Sequence, residues 1–373
     1  MVANDEFSAN CLYEPLEEVE RLKNYRPGGY HPIQIGDHFH GRYRVVHKLG
    51  YGTYSTTWLA RDKQSNKYIT VKVCTADSDP KEADIISSLI CPPRSVDDNP
   101  VKAMVPSILD RFTIHGPNSK HTCYVTEPAR ASLFALKVGS WIRLFQLEVA
   151  RSLAAQLVLA VDYVHAQGFV HGDLHLGNVL LKVLPSFGQL AFERLYEEYG
   201  APELEPVIYL DGYPLSPGIP SYGIAPIWLR EAREKITLTE ARILLSDFGE
   251  VFLYPKDLKY ISRTSLVIRP PEAPFESENP LCSKSDIWTL ACTIWSTLAQ
   301  RSLFEGLLAT NTDMTCEHVD ALGALPPEWV QQPRQDIGIL STDTRGREAI
   351  LDMLRQMLSF RPENRPPTRQ IFK

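Results

Sequence analysis

The pattern of apolar residues changes once along this chain, and the change limits what it can fold into. From Arg42 to about Ala129, β-branched and aromatic residues alternate with polar ones, interrupted by a single helical stretch; beyond that point long helical periods dominate. A period of two requires strands and a period of 3.6 requires helices. The expected architecture is therefore α+β, a small sheet lobe followed by a larger helical one. Leu144 to Gln167 shows the helical pattern most clearly, with Leu147, Ala150, Leu153, Ala154, Leu157, Val161 and Val164 on one stripe.

Residues 1–40 are polar and punctuated by Pro27-Gly28-Gly29, which reads as an extension packed over the domain rather than a core element. The expected boundaries are an extension at 1–40, a first lobe at 41–129 and a second at 130–373, the second interrupted by an insertion at about 183–241. Pro202, Pro206, Pro214, Pro217 and Pro220 disfavour regular helix in that insertion. Its Glu193, Glu197, Glu198, Glu203 and Glu205 outnumber the lone Arg194, so it presents either a solvated acidic face or a docking surface for a basic protein.

At 373 residues, 44% hydrophobic and 23% charged, the chain can bury a substantial core. A formal net charge of −6 argues against direct nucleic-acid binding, which normally shows as a basic excess, and leaves a basic protein partner electrostatically acceptable. Met1 to Asn10 shows no secretory pattern, and no apolar run approaches a membrane span, so no membrane association is expected. Seven scattered cysteines without a CxxC pair suit reduced thiols in cytoplasm or nucleus.

Two motifs on the helical side carry chemistry. His171-Gly172-Asp173-Leu174-His175-Leu176-Gly177-Asn178 is followed far downstream by Asp247-Phe248-Gly249. Asp173 can accept a hydroxyl proton, while Asn178 and Asp247 offer oxygens to magnesium. Those are the parts phosphoryl transfer requires, because its loose transition state needs positioning and charge more than covalent help. On the sheet side, Leu49-Gly50-Tyr51-Gly52-Thr53-Tyr54-Ser55 lies between strand-like runs, where glycines let backbone approach phosphates closely. Lys72 follows on a β-branched strand and Glu82 on the next helical stretch, so the two can pair. Taken singly, each is readily a solvated surface charge; the ordered series points to a nucleotide site.

After Asp247-Phe248-Gly249, a polar segment runs through Ser262, Thr264 and Ser265 to Arg269-Pro270-Pro271-Glu272. Asp286, opening an apolar helix, is expected to accept hydrogen bonds from the catalytic-loop backbone, and Arg365 to pair with Glu272. This series resembles the eukaryotic protein-kinase superfamily, with Pro270 in place of the alanine of its Ala-Pro-Glu element. More narrowly it resembles the serine/arginine-rich protein-specific kinases. Tyr25 to Pro32, then Ile35-Gly36-Asp37, Arg42-Tyr43, Lys48-Leu49-Gly50 and Ser55 before Trp58, carry that likeness, as does the long insertion before Asp247.

The resemblance implies a bilobal kinase fold and a serine/threonine kinase that uses ATP and Mg2+, working as a monomer on Arg-Ser-rich proteins such as splicing factors. It implies that Leu49, Gly50, Gly52, Ser55, Thr57, Thr70, Thr126, Glu127, Ala129 and Leu180 surround the nucleotide. Lys72, steadied by Glu82, orients phosphate; Asn178 and Asp247 hold the metal; Asp173 is the catalytic base.

Four positions depart from the pattern. Gly172 replaces the usual arginine, so activity is expected not to depend on activation-loop phosphorylation. His175 stands where a lysine near the transferred phosphate is usual, and so belongs with the catalytic residues. Thr57 and Thr70 replace the Val and Ala that cover adenine, and each hydroxyl needs a partner or costs about 1–3 kcal/mol when desolvated. The same loop also resembles aminoglycoside and choline phosphotransferases, and the departures allow a pseudokinase scaffold. A metal cluster of His171, Asp173 and His175 lacks further ligands at fixed spacing.

Overall fold

The computed structural model describes residues 12–91, 99–229, 233–306, 309–330 and 348–371; Cys11 lies outside them. The chain divides into two compact units, one of Met1–Ser87, Pro106–Arg130 and Val183–Arg230, the other of Ser88–Val105, Ala131–Lys182 and Glu231–Lys373.

The first unit is built on a six-stranded antiparallel sheet of β1 (His38–Phe39), β2 (Tyr43–Gly52), β3 (Ser55–Asp62), β4 (Lys67–Cys74), β5 (Asp110–Gly116) and β6 (Ser119–Thr126), in the order β1-β2-β3-β4-β6-β5. Helix α1 (Lys81–Ile90) follows β4 and buries Ala83, Ile86 and Leu89. Strand alternation is blurred in β4, where Tyr68, Ile69, Thr70 and Val71 are all buried, because both faces of the sheet are covered. One face packs Val45, Trp58, Val71 and Val125 with Ile33 and Ile224; the other packs Val46, Leu59 and Tyr68 with Phe187, Leu195, Ile227 and Leu229.

Residues 183–230 therefore belong with the sheet, which corrects their expected place within the helical lobe. The cause is an apolar stripe that the acidic composition obscured. A helix at Phe192–Tyr199 buries Leu195 and rests Phe192, Tyr196 and Tyr199 against the sheet, while Glu193, Glu197 and Glu198 face solvent. It ends at Gly200, ahead of the prolines that were expected to exclude helix.

In the second unit a helix spans Leu147–Ala166 and buries Ala150, Leu153, Leu157, Val161 and Val164. Two members of the predicted stripe are not buried: Ala154 is half-buried, and Leu147, at the first helical position, is exposed. A second helix, Ser283–Leu298, is buried almost throughout and starts from a capping box in which Cys282 and Ser285 satisfy each other's backbone amides. Among the described residues no helix is long and apolar enough to cross a membrane.

Candidate active site

In the second unit the catalytic-loop residues are held from below by one carboxylate. Asp286 accepts the His171 amide at 2.7 Å, the Gly172 amide at 2.9 Å and His165 Nε2 at 2.9 Å. Burial opposes its ionisation, but these donors and the nearby His171 outweigh that and hold the Asp286 carboxyl below its ordinary value. Gly172 has φ +77°, and a Cβ there would lie 2.9 Å from the Glu250 carbonyl oxygen. The glycine that replaces the usual arginine is thus demanded by the backbone. His171 is fully buried, and its ring lies 5.2 Å from that of Phe248, which fits a packed loop anchor.

A strand pair brings the remaining groups together. Val179–Lys182 pairs antiparallel with Ile243–Leu245, Val179 opposite Leu245, and Ser246 donates to the Asn178 carbonyl oxygen through both its amide and its hydroxyl. Asp247 follows at once, with a left-handed φ of +60°. Such backbone is sparsely populated for a non-glycine residue and collects at functional sites. The Asn178 Nδ2 donates to the Asp173 carbonyl oxygen at 2.9 Å and to its Oδ2 at 3.4 Å, which turns Oδ1 to the other side of the amide.

His175 Nδ1 accepts the Gly177 amide at 3.0 Å, so a neutral ring carries its proton on Nε2, which lies 3.5 Å from Asp173 Oδ2. Burial pushes the Asp173 carboxyl up, but the hydrogen bond and charge of His175, with His171 and Asn178, bring it below its ordinary value. His175 therefore turns to the carboxylate itself.

Oxygen donors from an amide and a carboxylate suit a hard cation such as Mg2+, which is commonly held by one or two carboxylates together with substrate phosphates. Among the described residues no group of three His, Cys, Asp or Glu could hold a metal ion. His171, Asp173 and His175 do not form such a group.

In the first unit β2 and β3 form a hairpin whose last pair is Gly52 with Ser55, leaving Thr53-Tyr54 as the turn, with an irregularity of register at Leu49. A Cβ at Gly50 or Gly52 would meet no protein atom within 4 Å, so nothing in the fold itself requires these glycines. The open space beside them leaves room for a ligand to approach the backbone closely. Lys72 on β4 meets Glu82 on α1 with both carboxylate oxygens, at 2.8 and 2.7 Å, and both side chains are largely shielded. Cross-strand pairs set Thr57 beside Lys72 and Thr70 beside Thr126. Neither threonine hydroxyl is among the sealed, unpartnered side-chain atoms of the described residues. Leu49, Ala129 and Leu180 are half-buried, Ser55 is buried and Glu127 is exposed.

Further along the second unit, Arg365 reaches Glu272 with two nitrogens at 2.8 and 2.6 Å and is wholly buried. Thr264 is buried, its hydroxyl lies 2.6 Å from that of Ser262, and its carbonyl oxygen accepts two hydrogen bonds from Arg269.

Residues 43–187 match the protein kinase domain family. The chain's sequence likeness runs to the SR protein kinases. The chain is 37% identical over 168 residues to the serine/threonine-protein kinase spk-1 of Caenorhabditis elegans, covering 44% of this chain and 17% of that protein. It is 35% identical over 191 residues to SRSF protein kinase 3 of Homo sapiens, covering 50% and 34%. A serine/threonine protein kinase of Aspergillus fumigatus is 27% identical over 345 residues, covering 89% and 78%. The chain thus spans about a third or less of the first two relatives. A solved kinase domain shares the fold, with a TM-score of 0.64 at 17% identity, covering 91% of this chain and 96% of that one.

Sequence reasoning missed His165 as a partner of Asp286, and Glu20, Tyr30 and Asn118 in the first unit. His165 lies in the last turn of an apolar helix, where a lone histidine gives no sign of its partner. The other three make contacts with residues distant in sequence.

Proposed function

We propose that this chain is an ATP-dependent serine/threonine protein kinase acting on Arg-Ser-rich proteins, in cytoplasm or nucleus. The observation that carries the reading is the convergence of Asp173, Asn178 and Asp247 around one loop and one strand pair, with Asp173 oriented by both His175 and Asn178. Within the first unit Lys72, fixed by Glu82, orients phosphate beside the Gly50–Gly52 hairpin, with Thr57, Thr70, Thr126, Glu127 and Ala129 serving the nucleotide. Asn178 Oδ1 and the Asp247 carboxylate hold Mg2+, which when bound neutralises charge on phosphate oxygens.

Asp173 receives the seryl hydroxyl. A carboxyl held below its usual range is a weak base, so its work is to aim the hydroxyl and take the proton only as the new bond forms. The His175 Nε2 proton keeps that carboxylate turned toward the loop, a task a lysine would perform with a permanent charge. The packed Thr264 and the glycine at 172 favour activity without phosphorylation of the activation segment.

Radiolabelled ATP offered with an Arg-Ser peptide, an aminoglycoside and choline tests the reading. Label is expected on the peptide, and Asp173→Ala, Lys72→Met and Asp247→Ala should each lower it by at least about 100-fold while melting cooperatively. Label on a small molecule, or turnover that survives Asp173→Ala, overturns it.

A further inference from the structure

The segment Glu20–Tyr30, read from its sequence as part of a polar extension whose Tyr25 to Pro32 carry the family likeness, contacts β2 and the link between β4 and α1 in the first unit. Tyr25 and Lys48 both donate to the buried carboxylate of Glu20, and Lys48 immediately precedes Leu49 and Gly50 on β2. Farther along the same strand, the Tyr30 hydroxyl donates to the Gly52 carbonyl oxygen at 2.7 Å. The backbone of Gly28 and Gly29 accepts the Asp77 and Ala76 amides at 2.8 and 3.2 Å, on the link from the Lys72 strand to the Glu82 helix.

This course depends on the glycines. Gly28 has φ +87°, and a Cβ on Gly29 would lie 1.9 Å from the Asn24 carbonyl oxygen, inside a turn closed by the Tyr30 amide on that same oxygen. The buried amide of Asn118 secures the turn from outside, donating to the carbonyl oxygens of Tyr30 at 2.7 Å and of Gly218 at 2.6 Å. Extension and insertion are thereby tied at one side chain. The insertion also reaches β2 directly, through the Ile227 amide on the Lys48 carbonyl oxygen at 2.8 Å.

The Tyr30 ring and hydroxyl do different things. The ring packs with Leu22, Tyr25, Val207 and Ile219 and accounts for the residue's burial. The hydroxyl fixes one peptide unit. In a planar trans peptide the C=O and the following N–H point opposite ways, so a bond to the Gly52 oxygen sets the direction of the Thr53 amide at the hairpin tip. That amide is the kind of donor a glycine hairpin offers a phosphate.

We infer that Tyr30 is a positioning residue for ATP, acting through the Gly52 carbonyl to preset the hairpin tip, with Glu20–Lys48 and Asn118 anchoring the segment that carries it. The inference rests on the kinase reading for its biological sense.

Tyr30→Phe isolates the hydroxyl and keeps the ring. In the full chain with an Arg-Ser peptide, the KM for ATP should rise about three- to tenfold, the loss expected for one hydrogen bond. The KM for peptide, kcat and the melting temperature should stay near wild type. Titration with Mg-ADP should show the same weakening without any phosphotransfer. A wild-type ATP KM and Mg-ADP Kd in the variant overturns the inference. So does a fall in melting temperature with both KM values raised alike, which marks a structural role. Wild-type protein that binds Mg-ADP but labels no peptide defeats the kinase reading instead, and the Mg-ADP titration still decides the role of Tyr30.

Discussion

Individual residues here are constrained by backbone as much as by chemistry. Gly172 and Asp247 both have left-handed φ angles, +77° and +60°, and they flank the group that would receive substrate and metal. Glycine adopts this conformation freely, whereas aspartate is held in it by its surroundings. At 172, where the sequence departs from the family pattern, a Cβ would lie 2.9 Å from the Glu250 carbonyl oxygen, too close for an unshifted side chain. Restoring the family residue with Gly172→Arg should therefore destabilise by about 1–3 kcal/mol, read from urea unfolding. A neutral result would mean that the loop relaxes at no cost and that the glycine has another explanation.

At the level of elements, buried ion pairs fasten segments distant in sequence. Arg365 and Glu272 lie 93 positions apart, and the guanidinium also donates to the carbonyl oxygens of Ser359, Lys284 and Phe360. Removing one partner leaves an uncompensated buried charge, so Arg365→Ala should cost about 3–5 kcal/mol. Its ATP KM, measured on the folded fraction, should stay at the wild-type value, since this pair only braces the activation segment's end. The Leu147–Ala166 helix and the strands around Lys72 were legible from their periods alone. The place of the Phe192–Tyr199 helix was not, because three exposed glutamates and an arginine within its short span outweigh the apolar stripe in any composition average.

For the molecule as a whole, acid stability is set by histidines as well as carboxylates. Burial pushes His31, His47 and His318 down to about 4, against an ordinary value near 6.5. Below about pH 6.5 the unfolded chain binds protons that these rings refuse in the native state, so stability falls as pH drops from there toward about 4. His318 packs edge-on against Trp288 and Phe304, and its Nε2 has no partner among the described residues. His318→Leu should keep most of that packing and flatten the fall by up to about 1.4 kcal/mol per pH unit. Urea melts at intervals from pH 7 to 4.5 check this, and an unchanged slope would show that His318 is not among the groups responsible.

The sequence by itself determined the two periodicities, the order of the motifs and the pairing partners Lys72 with Glu82 and Glu272 with Arg365, because residue type and spacing carry those signals locally or through a known family pattern. Only the tertiary structure decided that residues 183–230 cover the sheet, that His175 turns to Asp173, and that Tyr30 reaches Gly52. Each of those depends on backbone groups and faces brought together from distant stretches. A carbonyl oxygen is the same in every residue, so no choice of side chain at Gly52 could announce that its partner is Tyr30.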